Sequence, residues 1–139
     1  MTDTNEQALA WTDLETLARA RSPDAPCAQC QALVCPGWDS MPGSFDRAAL
    51  ERMGTLRDPR DDDPTVAEYH PGGTHSWSPD APIALGYFPY NRCDVWRCAA
   101  CRRAFLRYTE YGGYYTDERI RVLNAAHLVD ERPSTGVPG

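Results

Sequence analysis

The residues of this 139-residue chain best able to do chemistry are its six cysteines, four of which form two Cys-x-x-Cys pairs, Cys27/Cys30 and Cys98/Cys101. Two intervening residues let the backbone turn so that both thiolates of a pair point at one ion. Backbone N–H groups of that turn can then donate to the sulfurs. Each pair is half of a tetrahedral site. The spacing therefore assigns one metal ion to Cys27, Cys30, Cys98 and Cys101, zinc first and iron as the alternative, because tetrahedral thiolate cages hold either. Such a site closes a long loop, so metal binding energy counts toward folding. A metal-free redox pair is the remaining alternative, and no βαβ pattern surrounds either pair to support it.

The other two cysteines extend a mirror symmetry. Cys35 lies five residues after Cys30, and Cys93 lies five before Cys98. If the pairs face one another, Cys35 and Cys93 approach too, and His70 or His75 could complete a second metal site. Ordinary buried thiols are the simpler expectation, since free Cys is among the most buried residue types, and a functional disulfide between the two is a third.

The run Cys93-Asp-Val-Trp-Arg-Cys98-Ala-Ala-Cys101-Arg-Arg-Ala-Phe-Leu-Arg-Tyr reads as strand, knuckle, strand. Together with the Cys27/Cys30 pair it resembles the zinc-ribbon and rubredoxin-like class, in which two hairpin knuckles face each other across a metal. The resemblance covers two short segments and implies a structural metal. The chain departs from the pattern where those knuckles often carry Pro inside the pair and Gly just after the second cysteine, for here Gln31 and Arg102 follow.

Beyond the cysteines, Arg92, Arg97, Arg102, Arg103 and Arg107 surround the second knuckle with Trp96, Phe105 and Tyr108 between them, a composition that suits a nucleic-acid or partner patch. Residues 92–107 carry a net +4, whereas residues 1–91 carry −8 and residues 108–139 carry −2. The chain as a whole, at −6, repels a polyanion away from that patch. The bland alternative has these arginines on the outer face of two strands, paired with acidic loops. All 14 basic residues are arginine, as expected of a GC-rich bacterial source. His70 and His75, with Glu68 and Asp80 nearby, offer imidazoles and carboxylates to a hydrolase, but their spacing fits no helical metal motif. His127 has the spacing of a partly buried helix residue. No phosphate-cradling Gly loop, dinucleotide fingerprint or Ser-His-acid spacing occurs.

The elements that must position these groups follow from periodicity. Ala10, Trp11, Leu14, Leu17 and Ala18 predict an N-terminal helix of about 16 residues, capped at Thr4 or Asn5 and stopped by Ser22-Pro23. Ser44 can cap a short middle helix over Phe45 to Met53. Extended segments are expected at Thr65–Tyr69, Ile83–Tyr90, Asp94–Arg97 and Arg103–Thr109, with a turn at Tyr111-Gly112-Gly113-Tyr114. Tyr114 and Tyr115 could pair back or cover the core. Thr116 can cap a C-terminal helix through Ile120, Leu123 and His127. The run Asp58 to Pro64 reads as a solvated acidic loop.

The expected fold class is thus α+β: a small antiparallel sheet with zinc-ribbon-like four-cysteine knuckles, flanked by three helices, in one domain over 1–139. Within it, 1–25 form the docking helix, 26–131 the zinc-clamped core and 132–139 a disordered tail. No stretch approaches the roughly 20 apolar residues that span a bilayer, and Met1 to Glu6 is acidic with no apolar run behind it, so a cytoplasmic protein is expected. The expected role is non-catalytic: a scaffold fixed by a structural metal that presents a surface to a partner. A protein is the first choice of partner on charge and nucleic acid the second, with a small hydrolase or redox enzyme using His70/His75 or Cys35/Cys93 as a third possibility.

Overall fold

Alternation of side chains along three central strands lets one sheet carry a buried cluster on each face. The computed structural model describes residues 9–20, 27–34, 37–58, 63–75, 77–111, 114 and 116–129. Its elements in chain order are α1 (Trp11–Arg19), β1 (Asp39–Ser40), β2 (Leu50–Thr55), β3 (Ile83–Ala84), β4 (Asp94–Cys98), β5 (Ala104–Tyr111), β6 (Thr116–Val122) and β7 (Leu128–Val129). Antiparallel pairing orders the main sheet β1-β6-β5-β4-β2, and β3 pairs β7 in parallel beside it. Among the described residues no helix is long and apolar enough to cross a membrane.

Phe105, Ile120 and Val122 point to one face of the sheet, where they cluster with Cys30, Leu33, Met41, Leu50 and Cys98. Val95, Ala104, Leu106 and Tyr108, the residues between, point to the other and cluster with Leu14, Ala18, Trp38, Ile83, Leu85, Tyr90 and Cys93. This double use explains why Ala104, Phe105 and Leu106 are all buried in succession. Phe105 and Leu106 each contribute roughly 1.5–3 kcal/mol, and the smaller Ala104 less. Trp38 meets Tyr108 edge-on at 4.9 Å between ring centroids and lies 5.8 Å from Tyr90, filling the second face with aromatic area.

The N-terminal helix is present but shorter than its periodicity implies. Ala10 is extended and the Leu9 N–H donates to the Thr55 carbonyl, so the helix begins at Trp11 rather than near Thr4. Asp13 accepts from the Ala10 N–H at 2.9 Å, supplying the end with an acceptor that Ala10 itself lacks. Leu14 and Ala18 face the core, and Arg19 pairs with Glu15 one turn back. Thr4, Asn5 and Ser22-Pro23 lie outside the described residues, as does the 132–139 tail.

Two expected helices are strands. From Phe45 to Met53 the chain makes only a 3-10 turn at Arg47–Ala49, capped by Asp46 rather than Ser44, and then runs as β2. Leu50 lies opposite Cys98 and Glu51 opposite Arg97, and a bulge between Arg52 and Gly54 absorbs Met53. The helical spacing of Ala49, Leu50 and Met53 lost to tertiary context: β2 pairs along β4 and buries Leu50 in the metal-side cluster. From Thr116 the chain is β6, in register with β5 from Tyr111↔Thr116 to Phe105↔Val122. The Ile120/Val122 alternation, not the Ile120/Leu123/His127 spacing, was the operative signal. His127 ends a 3-10 turn and is half-buried, with its pKa lowered by that burial and by Arg121.

The strands expected at Asp94–Arg97 and Arg103–Thr109 are β4 and β5. Thr65–Tyr69 is irregular instead, and of Ile83–Tyr90 only β3 is strand, the rest turning into a 3-10 segment at Tyr90–Arg92. Tyr114 is fully exposed and covers no core. Gly112, Gly113, Tyr115 and most of the acidic 58–64 run lie outside the described residues.

Candidate metal centre

The two Cys-x-x-Cys pairs are 71 residues apart in sequence and adjacent in space. Cys98 ends β4 and Cys101 closes the turn into β5. The turn is held by the Arg102 N–H donating to the Cys98 carbonyl at 2.8 Å and the Cys98 N–H donating to the Arg103 carbonyl at 2.8 Å. The Ala99 N–H also donates to the Ala49 carbonyl at 2.9 Å, tying this knuckle to the 3-10 turn before β2. Arg102 adopts φ 71°, the left-handed region, just past the second cysteine. Cys27 and Cys30 sit on a turn that runs into the 3-10 segment Gln31–Leu33, whose Leu33 is wholly buried beneath the sheet.

All four sulfurs lie within 4.8 Å of one another, the one group of three or more candidate metal ligands among the described residues. Cys27 and Cys98 Sγ are 3.9 Å apart, and Cys30 and Cys101 Sγ are 3.7 Å apart. A tetrahedron built on Zn–S bonds of about 2.3 Å has edges of about 3.8 Å, which these two edges match, so the four thiols could hold a metal ion. This geometry is compatible with a zinc-ribbon-like knuckle pair.

The surroundings differ from sulfur to sulfur. Backbone donation from Cys30 lowers the Cys27 thiol to about 6, whereas burial pushes Cys30 and Cys101 up. Arg103 is 2 % exposed and donates through Nη1 to Cys30 Sγ at 3.2 Å, placing a buried cation against the thiolate cluster. Sequence reasoning placed Arg103 on a surface patch. The signal that could have corrected it is its position, immediately before the apolar run Ala104-Phe105-Leu106.

The five arginines of the expected patch are split between the two ends of β4 and β5. At the knuckle end, Arg97 pairs with Glu51 at 2.8 Å, Arg102 is exposed and Arg103 is buried. At the far end, Arg107 bridges to Glu118 at 3.3 Å and lies 4.6 Å over the Trp96 ring, and Arg92 lies 5.4 Å over Phe88.

Cys93 is wholly buried in the cluster on the opposite face of the sheet, where its thiol donates to the Pro89 carbonyl at 3.3 Å and burial holds its pKa well up. Cys35, and with it any pairing with Cys93, lies outside the described residues. The five described cysteines form no disulfide. His70 shares hydrogen bonds of 2.7 Å with both Glu68 and Thr74, a local bracket across the turn, while His75 and Asp80 are exposed.

Sequence reasoning also missed Arg121, 2 % exposed, which donates to the Tyr90 hydroxyl and to the carbonyls of Ala81 and Pro79 and so anchors the 79–90 loop beneath β6. Comparisons with protein-family models, with curated proteins and with solved structures find no match.

Proposed function

We propose that this protein is a non-catalytic scaffold in which Cys27, Cys30, Cys98 and Cys101 hold one structural zinc ion, and that the zinc-fixed surface is presented to a protein partner. The observation that carries the zinc reading is the four-sulfur cluster, its atoms all within 4.8 Å and two of its edges 3.7 and 3.9 Å, backed by the buried Arg103. All four positions are filled by protein thiols, which is the closed arrangement of structural zinc rather than the open one of catalytic zinc. Elemental analysis of protein purified under reducing conditions is expected to find about one equivalent of zinc, as one such cluster requires. Less than half an equivalent of any transition metal overturns the reading, and iron at full occupancy, visible by its thiolate absorption, replaces the ion while keeping the site.

The choice of a protein partner rests on charge and on exposed apolar residues. The chain carries −6, and Arg97 and Arg107 of the arginine stretch are each engaged by a carboxylate. Val66, Trp77, Tyr111 and Tyr114 are exposed at 50 % or more, a supply of anchors typical of protein recognition. A salt titration with single-stranded and duplex nucleic acid is expected to show no tight, salt-sensitive binding. Tight, salt-sensitive binding there would move the partner from protein to nucleic acid without touching the metal assignment.

A further inference from the structure

β4 begins at Asp94, opposite Arg107, so β5 runs on past it and residues 108–111 pair only with β6. The notch left beside that overhang is a cavity of about 360 Å³ whose lining includes Arg57, Phe88, Arg92, Asp94, Glu110 and Tyr111. Its size falls within the roughly 300–1,000 Å³ of small-molecule sites.

Guanidinium groups outnumber carboxylates around it. Asp94 is held between Arg57 at 2.8 Å and Arg52 at 3.2 Å, and Glu118 is shared by Arg107 and Arg47. Each of these carboxylates answers two arginines. Among the described residues no carboxylate pairs with Arg92, which donates from Nη2 to the Pro64 carbonyl at 3.0 Å and keeps Nε enclosed without a hydrogen-bond partner. A guanidinium has five N–H donors in a fixed fork suited to phosphate or carboxylate. Glu110 accepts from the Tyr108 hydroxyl at 3.2 Å, leaving its second oxygen for a ligand N–H or O–H. Tyr111, 78 % exposed, offers a ring at the lip with no core packing to lose.

We propose that this notch binds a small anion that carries a planar ring, of the size of a nucleoside monophosphate. Its charged group sits on Arg92 and Arg57, its ring lies against Tyr111, and a ring or sugar donor reaches Glu110. The site lies at the end of the sheet away from the knuckle and stands independently of the metal reading.

Isothermal titration of the full chain as purified, whatever its metal content, with adenosine 5′-monophosphate tests it, with adenosine and inorganic phosphate as the two half-ligands. The monophosphate is expected to saturate the protein, with each half-ligand at least about tenfold weaker, since each lacks one set of contacts. Arg92→Ala should weaken the monophosphate about tenfold or more, while Arg97→Ala, at the knuckle end, leaves it unchanged. If Arg92→Ala fails to fold by circular dichroism, Tyr111→Ala takes its place and should weaken the monophosphate while leaving phosphate unaffected. No saturation by about 10 mM monophosphate, an affinity too weak for a built site, overturns the proposal. So does phosphate binding as tightly as the nucleotide, or binding that survives the variants intact.

Discussion

At the scale of single residues the knuckle is governed by two adjacent arginines with opposite surroundings. Arg102 occupies the left-handed region where a Cβ costs roughly 1–2 kcal/mol, so Arg102→Gly should raise the unfolding free energy, measured by denaturant titration, by about 1 kcal/mol. Arg103, buried against Cys30 Sγ, supports the ligand set from behind. Arg103→Ala should weaken zinc binding roughly 10- to 100-fold in competition with a chromophoric chelator, while Arg97→Ala, which loses only a half-exposed pair with Glu51, should not. The sulfurs also set the pH response. Without metal, burial keeps the Cys30 and Cys101 thiols protonated at neutral pH, while Cys27 ionises near 6. Metal requires all four as thiolates, so loading must expel protons, and acid competes with the ion. Metal-dependent stability is therefore present at neutral pH and lost as the pH falls. Heats of zinc binding measured at pH 7 should scale with the ionisation enthalpy of the buffer.

At the scale of elements, the central hairpins explain which parts of the fold could be read from sequence. β4 and β5 were legible because Val95, Leu106 and Tyr108 alternate on either side of a recognisable turn. Both cysteine pairs were legible because ligand spacing is a local property. β2 and β6 were not. Residues 45–53 and 116–127 contain apolar residues three and four apart, and nothing local reveals that β4 and β5 each need a partner. The arginine patch failed for a related reason: composition shows that arginines are near one another in sequence, but not that Arg103 points inward while Arg92 and Arg107 sit at the opposite end of the strands. The strand assignment of β6 has its own test. Ile120→Ala, wholly buried in the metal-side cluster, should cost about 2–5 kcal/mol by chemical denaturation. Glu118→Gln, which loosens Arg107 and Arg47 at a partly exposed position, should cost roughly 1 kcal/mol or less.

At the scale of the whole molecule, one sheet separates two cores, and the proposed metal would touch only one of them. The cluster of Leu14, Val95, Leu106 and Tyr90 is ordinary apolar and aromatic packing with none of the four candidate ligands in it. The opposite cluster includes the candidate ligands Cys30 and Cys98, and Leu33 is the one buried side chain besides Cys30 among residues 27–34. Chelation should therefore release this arm before the rest. Hydrogen exchange after metal removal is expected to accelerate first at 27–34 and 98–103, with 14–18 and 83–95 protected longer. Simultaneous loss of protection throughout would show that the two cores are one cooperative unit. The four-sulfur clip also has a mechanical meaning. Tension entering through α1 and β6 would meet the clip from outside, so the chain between Cys27 and Cys98, 71 positions apart, would be shielded from the load while an ion is bound. Pulled from its two ends, the loaded protein should lengthen only by its outer segments, and breaking or chelating the clip should then free a further ~240 Å of chain at about 3.4 Å per residue.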